Sequence, residues 1–188
     1  MSQKNVEVVR TPLAVVERSR RTLDQRLVLR FPVLGTVFAR LVGKLSPGSR
    51  LRQVLLARAV RLASEAYNRR DLAAVVVGLD PHFEYFASRE WVQAGFAEPV
   101  YRGMEGYRAY IAATSEVWGS DNRIMPHELI DLGDRFVVLA TVPMRAQASG
   151  VPLTEQYAYI ATLHDGRPVR LQEYFDHGEA LRALGLEE

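Results

Sequence analysis

The chain contains no cysteine, and this absence removes several kinds of chemistry at once. Disulfide bonds, thiolate metal sites and a cysteine nucleophile are all excluded. Long apolar runs are missing too: residues 31–39 form the longest uncharged stretch near the N-terminus, which is too short to cross a bilayer. The first ten residues are polar and do not resemble a secretory signal. We therefore expect a soluble protein, and the lack of cysteine suits the cytoplasm.

Lysine is scarce, with 2 residues against 22 arginines, and charge is spread unevenly. Residues 1–70 hold 15 basic and 4 acidic side chains (net +11), whereas residues 71–188 hold 9 and 18 (net −9). A basic segment of this kind can pack on its own acidic body, on a partner subunit, on anionic lipid or on nucleic acid. We favour packing within the chain or between subunits and expect no membrane surface. Nucleic acid is not expected, because few aromatic side chains interleave with the basic ones.

Signatures of cofactor and metal sites are also missing. The sequence has no P-loop, no G-x-G-x-x-G fingerprint and no G-x-S-x-G elbow. Its four histidines lie far apart in sequence, whereas a metal site needs three or four converging ligands. We therefore predict neither a metal nor a cofactor.

The first half of the chain has helical patterns. Thr11-Pro12 is a plausible start for a helix through about Leu29, with Thr11 as the N-cap. Leucine and phenylalanine then recur at helical spacing and form an apolar stripe: Leu34, Phe38, Leu41 and Leu45. Residues 46–48, Ser-Pro-Gly, form a clear break. This pattern divides the chain into a basic helical extension, residues 1–48, and a main domain, residues 49–188.

Within the main domain, Ser49 is placed to begin a helix to about Asn68, and Asp71 to cap a shorter one. Residues 82–87, HFEYFA, are expected to form the first strand. Three further strand-like runs follow at 129–144, 153–163 and 169–177, separated by Gly-containing turns. Asp176, three residues before Glu179, fits the cap of a final helix. Helices followed by successive antiparallel strands predict an α+β domain with a curved sheet.

Four segments carry a resemblance to a known family. They are EAYNRRDLAAVVVGLDPHFEY, YRGMEGYRAYI, LIDLGDRFVVL and DGRPVRLQEYFDHGEALRALGL, in this order between residues 65 and 186. Together they resemble the SnoaL-like polyketide cyclase group of the nuclear-transport-factor-2-like superfamily, over about residues 56–188. The resemblance implies a cone-shaped, cystatin-like α+β barrel, in which a bent antiparallel sheet packs on helices around an apolar cavity. It also implies a homodimer and a small apolar ligand.

Ketosteroid isomerase, a member of this superfamily, provides a test of chemistry. It uses a carboxylate base, a tyrosine and a protonated aspartic acid. Alignment of its pattern places Phe86, Ala63 and Tyr159 at those three positions. Only Tyr159 keeps a hydrogen-bond donor, so steroid isomerisation by that mechanism is not expected.

The same alignment predicts which side chains face the cavity. If Phe86 points inward, then His82 and Glu84 share its face, because side chains alternate along a strand. A carboxylate such as Glu84 would have a raised pKa in an apolar cavity and is our candidate proton shuttle, with Tyr159 or Tyr157 as hydrogen-bond donor. Other candidates for the pocket are Trp91, as part of a lid with Phe96, and His127, Glu155 and Glu173. The sequence does not decide whether Glu173 or Tyr174 faces inward.

Three hypotheses about function remain open. The first is an enzyme that needs no cofactor and uses acid–base chemistry on an apolar or polycyclic molecule, as a cyclase, isomerase, dehydratase or hydrolase. The second is a non-catalytic ligand-binding domain, and the third is an interaction module that uses its basic extension. The fold alone does not choose among them.

Overall fold

A seven-stranded curved sheet dominates the computed structural model, which describes residues 8–14, 20–119, 122–145 and 152–186. Its strands lie in the order β1-β4-β5-β6-β7-β2-β3, and all neighbours are antiparallel except the parallel pair β2 and β7. Register shifts in β4 and β6 help to bend the sheet. The strands are β1 (Val9–Pro12), β2 (Glu84–Phe86), β3 (Val100–Arg102), β4 (Met125–Asp131), β5 (Arg135–Arg145), β6 (Pro152–His164) and β7 (Arg167–Tyr174).

Seven helices occur in the described ranges, and most of them surround the concave face of the sheet. They are α1 (Leu23–Arg30), α2 (Pro32–Gly43), α3 (Arg50–Asn68), α4 (Leu72–Val76), α5 (Arg89–Gln93), α6 (Gly103–Trp118) and α7 (His177–Ala183). The predicted bounds of α3 are confirmed, and Asp71 and Asp176 cap α4 and α7 as expected, by accepting hydrogen bonds from the backbone N–H groups of Ala74 and Glu179. The predicted α+β class with a curved sheet is confirmed.

The predicted start of the first helix is wrong. Thr11 and Pro12 lie in β1, an edge strand that pairs with β4, and Thr11 is opposite Leu129. Proline is tolerated at a sheet edge because a strand there has a backbone side without a partner. The first helix instead begins after Thr22, whose hydroxyl and backbone form a capping box with Gln25. The division of the chain at residue 48 stays a prediction, although β1 belongs to the main sheet.

The run at 129–144 is two strands and not one. Its first three residues end β4, and a turn at Leu132–Asp134 leads into β5. Gly133 has a φ of 90°, a conformation that favours glycine. The C-terminal part of the chain thus contributes four successive strands, β4 to β7.

Buried apolar side chains form three clusters. The pocket cluster lies between β2, α6 and the far ends of β5 and β6, and includes Phe83, Tyr110 and Tyr157. The arm-side cluster joins α3 to β4 and β5 on the same concave face, and includes Leu56 and Val138. The outer cluster lies on the convex face under α7.

A buried ion pair connects the N-terminal helices to the sheet. The guanidinium of Arg52 in α3 donates to both carboxylate oxygens of Asp131, at 2.6 and 3.0 Å, and both residues are 1% exposed. The same guanidinium donates to the Gly133 carbonyl at 2.6 Å and lies 3.2–3.4 Å from carbonyls at the end of α2 and just after it. Arg52 thereby ties α2, α3 and the β4–β5 turn together.

Among the described helices, none is long and apolar enough to cross a membrane.

Candidate functional site

The pocket cluster contains one carboxylic acid, Glu173 of β7, which is 2% exposed. Its Oε1 accepts hydrogen bonds from the hydroxyls of Tyr110, at 2.5 Å, and Tyr85, at 3.0 Å. Its Oε2 accepts a hydrogen bond from the Ser88 backbone N–H at 2.9 Å. Tyr157 extends this network, because its hydroxyl lies 3.4 Å from that of Tyr85. The result is a chain of groups that can exchange protons.

Burial controls the acidity of this network. Loss of solvation raises the pKa of Glu173 above its ordinary value, and the hydrogen bonds from Tyr110, Ser88 and Tyr85 oppose this shift only in part. Loss of solvation, followed by repulsion from the Glu173 charge, holds the pKa of Tyr85, Tyr110 and Tyr157 well above the usual tyrosine value. These phenols therefore stay protonated and keep their hydrogen-bond donors at physiological pH, whereas Glu173 holds its proton to a higher pH than an ordinary glutamate does.

Local backbone geometry places the Glu173 partners. In β2, Tyr85 points to the concave face and lies opposite Tyr101 of β3 and Leu171 of β7. Ser88 follows this strand as the N-cap of α5, so its N–H is free of helical pairing and points at the carboxylate. Tyr110 extends from α6, one helical turn after Tyr107, and both rings pack near Tyr85.

Aromatic rings form the walls of the site. Trp91 of α5 stacks on Phe175, with ring centroids 4.9 Å apart and planes 20° apart. Its other neighbours are Trp118, at 6.1 Å, and Tyr110, at 6.2 Å, both nearly parallel. The remaining lining comes from Tyr67, Tyr85, Tyr107, Asn122, Ile124, Val142, Met144, Tyr157 and Glu173.

The cavity left between these rings has a volume of about 20 Å³, which is room for about one water molecule. In this state the rings of Trp91 and its neighbours fill the space that an aromatic ligand would need. A larger ligand therefore enters only if side chains of the lining move.

The expected inward orientation of Glu84 is wrong. In β2 the alternation has the opposite phase: Phe83, Tyr85 and Ala87 are buried, whereas Glu84 lies on the other face. Its carboxylate accepts a hydrogen bond from the Arg102 guanidinium at 2.9 Å, and its side chain is 37% exposed.

The two residues predicted to share the face of Glu84 are also outside the cavity. His82 is exposed, and the half-buried ring of Phe86 packs against the guanidinium of Arg170, 3.9 Å from the ring centre. The orientation prediction for β2 was therefore wrong by one residue along the strand.

The three candidate residues of β6, Glu155, Tyr157 and Tyr159, are separated by the curvature of the sheet. Tyr157 lines the cavity. Tyr159 faces the same side but packs between the pocket and arm-side clusters, against Phe136 and Tyr157, and is not among the cavity-lining residues. Glu155 is half-buried near the start of the strand and lies opposite Val142 of β5.

The remaining predicted pocket residues differ in placement. Trp91 and Glu173 line the cavity, and Glu173 rather than Tyr174 faces inward. Phe96 is 39% exposed and not part of the lining. His127 is exposed and its ring lies 5.3 Å from that of His177, outside the lining. In the described parts of the chain, no group of three or more histidine and acidic side chains is placed to hold a metal ion.

Sequence reasoning missed Tyr85 and Tyr110, the two phenols that hold Glu173. A signal for Tyr110 was present, since Tyr107 and Tyr110 are three residues apart in a predicted helix and so share one face. Tyr85 would have followed from the opposite phase of β2.

Solved structures with the same fold place the chain among known proteins. An NTF2-like protein of unknown function from Burkholderia pseudomallei K96243 is 28% identical, with a TM-score of 0.57, over 66% of this chain and 93% of that one. The chain belongs to the nuclear-transport-factor-2-like superfamily. This membership confirms the superfamily expected from the four sequence segments.

Two further structures show the range of this fold. TerC, co-crystallised with polyporic acid, is 25% identical with a TM-score of 0.57, over 68% of this chain and 95% of TerC. A protein from Jannaschia sp. CCS1, provisionally named a SnoaL-like polyketide cyclase, is 16% identical with a TM-score of 0.51. The match covers 70% of this chain and 92% of that one. At 16% identity the likeness is one of fold. No protein-family model and no curated protein matches the sequence.

Proposed function

We propose that this protein is an enzyme that binds a flat aromatic or polycyclic ketone or phenol and moves a proton on it, with Glu173 as acid and base. The observation that carries the proposal is a buried carboxyl group, contacted by two tyrosine hydroxyls and one backbone N–H, at the wall of an aromatic cavity. Buried titratable groups with shifted pKa values in a pocket are typical of catalytic sites.

Glu173 has the surroundings that general acid–base catalysis needs. Burial raises its pKa above the ordinary glutamate value, and a carboxylate with a raised pKa is a stronger base. No cation contacts it among the described side chains, since its three hydrogen-bond partners, Tyr85, Ser88 and Tyr110, are neutral donors. A cation would hold the carboxylate in its charged form.

The tyrosines supply the second requirement, which is a place for the negative charge that forms on the substrate. When Glu173 takes a proton from the carbon beside a carbonyl, the C–H electrons move into the enolate and leave charge on its oxygen. A phenol that stays protonated donates a hydrogen bond to this oxygen. Tyr157, at the cavity end of the network, is our candidate donor.

The walls favour a flat aromatic ligand. Trp91, Phe175 and Trp118 stand with nearly parallel rings, so a ligand ring that displaces one of them would stack on the others. TerC, a structural neighbour, was co-crystallised with polyporic acid, and this supports a small organic ligand for this chain.

Hydrogen–deuterium exchange of 2-tetralone tests the proposal. This bicyclic ketone has acidic protons beside its carbonyl, and in D2O the loss of their NMR signal measures proton removal directly. We expect the wild-type protein to accelerate the exchange and Glu173→Gln to reduce the acceleration by roughly 100-fold, the lower range for loss of a general base. Tyr157→Phe should reduce it less.

Glu84→Gln is the matched control, because it makes the same chemical change on a carboxylate outside the cavity. It should exchange 2-tetralone at the wild-type rate. Equal rates for wild type and Glu173→Gln would overturn the catalytic proposal.

A second measurement distinguishes an enzyme from a protein that binds the ligand without catalysis. Trp91 lines the cavity, and the other tryptophan of the chain, Trp118, stacks on it at 6.1 Å, so tryptophan fluorescence reports the pocket. Quenching by the hydroxyanthraquinone alizarin, combined with no acceleration of exchange, would identify a non-catalytic binding domain. The absence of both quenching and accelerated exchange would exclude a role for the pocket with ligands of this class.

A further inference from the structure

The N-terminal helices expose far more apolar surface than the rest of the described chain. Ten large apolar side chains of α1, α2, their junction and the start of α3 are 47–82% exposed. In the rest of the described ranges the exposed large apolar side chains are Val8, Phe96 and Leu153, and these are only 37–43% exposed. We call the ten the arm surface: Leu23, Leu27, Phe31, Val33, Leu34, Val37, Phe38, Leu41, Leu51 and Val54.

The arm surface is built on a rigid base. Gln25 is 5% exposed and its amide donates to the Leu62 carbonyl of α3 at 2.9 Å. Arg21 makes a bidentate contact with Asp71 at 2.6 and 2.8 Å, and Arg52 holds the end of α2. These contacts hold α1 through the Gln25 side chain and the end of α2 through its backbone carbonyls, and they leave the ten apolar side chains exposed. A partner would bind a surface that needs little ordering.

Positive charge surrounds the apolar side chains. Residues 20–61 contain nine arginines and one lysine but a single acidic residue, Asp24. Arg26, Arg30, Lys44 and Arg50 are exposed and make no ion pair with a described residue. The surface therefore offers apolar contact and free cations together.

A second copy of the chain does not match this surface. Two arm surfaces facing each other would bring like charges together. The acidic body of another copy would match the charge, but outside the arm surface the exposed large apolar side chains of the described chain are only Val8, Phe96 and Leu153, and no two of them share a helix or strand. Neither arrangement satisfies the apolar and the charged groups at once.

We propose that the arm surface binds the interface of an anionic lipid membrane. An amphipathic helix with Leu, Val and Phe on one face and arginine around it lies in the membrane plane, with its apolar side chains below the headgroups and its cations beside the lipid phosphates and carboxylates. This assignment differs from the expectation drawn from charge alone, because sequence does not show that the apolar stripe of α2 faces away from the body.

Vesicle flotation of the full chain tests the proposal. We expect the wild-type protein to float with vesicles of phosphatidylcholine and phosphatidylserine and to bind pure phosphatidylcholine at least about tenfold more weakly. Added salt should weaken the binding, because it screens the arginines.

Two double variants separate the charged from the apolar contribution. Arg26→Gln with Arg30→Gln should weaken binding to the anionic vesicles by about 25-fold, from roughly fivefold for each arginine. Val33→Ser with Leu41→Ser, at positions 71% and 60% exposed, should weaken it by more than about tenfold without unfolding the protein. Arg108→Gln and Leu153→Ser, exposed changes of the same kind away from the arm surface, are the controls and should bind as the wild type does.

Three results would overturn the proposal. The first is no flotation of the wild type with anionic vesicles, and the second is equal flotation with pure phosphatidylcholine. The third is sedimentation of the wild type as a dimer that Val33→Ser with Leu41→Ser converts to a monomer, since a second copy would then cover the arm surface. Circular dichroism of each variant establishes that a loss of binding is not a loss of fold.

Discussion

The concave face of the sheet buries two carboxylates, and their surroundings differ in kind. Asp131, in the arm-side cluster, is 1% exposed and receives two hydrogen bonds from the Arg52 guanidinium. Glu173, in the pocket cluster, is 2% exposed and receives its hydrogen bonds from two phenols and one backbone N–H. One acid has a full counter-charge, and the other has only neutral donors.

This difference in counter-charge distinguishes a carboxylate that holds the fold together from the carboxylate to which we assign an acid–base role. Asp131 and the Arg52 guanidinium form a buried ion pair, which holds α3 against the β4–β5 turn. Neutral donors only partly offset the loss of solvation at Glu173, and its pKa is raised. No counter-charge fixes the protonation state of Glu173, and the acid–base role that we propose for it rests on this property.

Removal of the Asp131 charge should give the largest effect. In Asp131→Asn the Arg52 guanidinium stays buried without a counter-charge, and we expect a loss of about 3–5 kcal/mol in the free energy of unfolding. Urea denaturation measures this loss. Asp134→Asn, an exposed change in the same turn, is the matched control and should alter stability by less than about 0.5 kcal/mol.

A pair of apolar replacements makes this test sharper. Arg52→Met combined with Asp131→Leu removes both charges, and such replacements often restore the stability lost on breaking one partner. Arg52 also donates hydrogen bonds to backbone carbonyls, so we expect the double variant to recover only part of the lost stability. If Asp131→Asn were as stable as the wild type, the ion pair would not be the group that holds the N-terminal helices.

Glu173→Gln should change how stability depends on pH. The pKa of Glu173 is raised in the folded protein, so the folded and unfolded states are both protonated below the usual glutamate value of 4.5, and no stability is lost there. As pH rises above this value the unfolded state releases its proton first, and wild-type stability falls until pH passes the raised pKa. Glutamine does not titrate, so this part of the fall should disappear in the variant.

Urea denaturation at a series of pH values, from acid to neutral, measures both profiles. The stability of Glu173→Gln relative to wild type should increase with pH over this range. Asp131→Asn serves as a contrast, since it should lower stability at neutral pH instead of relieving a cost. Parallel profiles for Glu173→Gln and wild type would show that Glu173 has the same pKa in both states, which contradicts the proposed difference between the two acids.

Sequence reasoning predicted the fold better than the site for a physical reason. The helix starts at Asp71 and Asp176 are set by local capping chemistry, which a short segment carries within itself. The strands of the C-terminal half are marked by turns and apolar runs, although Gly133-Asp134 divided one predicted run into two. Superfamily membership followed from the order of these local signals.

The site depended on information that no short segment contains. In β2, residues 83–87 alternate Phe, Glu, Tyr, Phe, Ala, so both faces carry an aromatic ring and the pattern does not determine which face is inward. The choice of Phe86 as inward brought Glu84 with it, whereas the structure buries Tyr85. The Arg52–Asp131 pair joins residues 79 positions apart, and sequence patterns give no sign of such long-range pairing.

Glu84 gives the smallest expected effect and completes the comparison with an exposed acid. Its partner Arg102 is 2.9 Å away, as close as a buried ion pair, but the two side chains are 37% and 73% exposed. Water solvates both charges already, so the pair adds little when it forms, and Glu84→Gln should change the free energy of unfolding by no more than about 0.5 kcal/mol. Urea denaturation at neutral pH measures this change against Asp131→Asn and Glu173→Gln. A loss as large as that of Asp131→Asn would mean that contact distance, and not burial, decides what a carboxylate contributes here. The expected order instead assigns that role to solvent: water makes Glu84 dispensable, a guanidinium replaces water for Asp131, and only neutral donors replace it for Glu173.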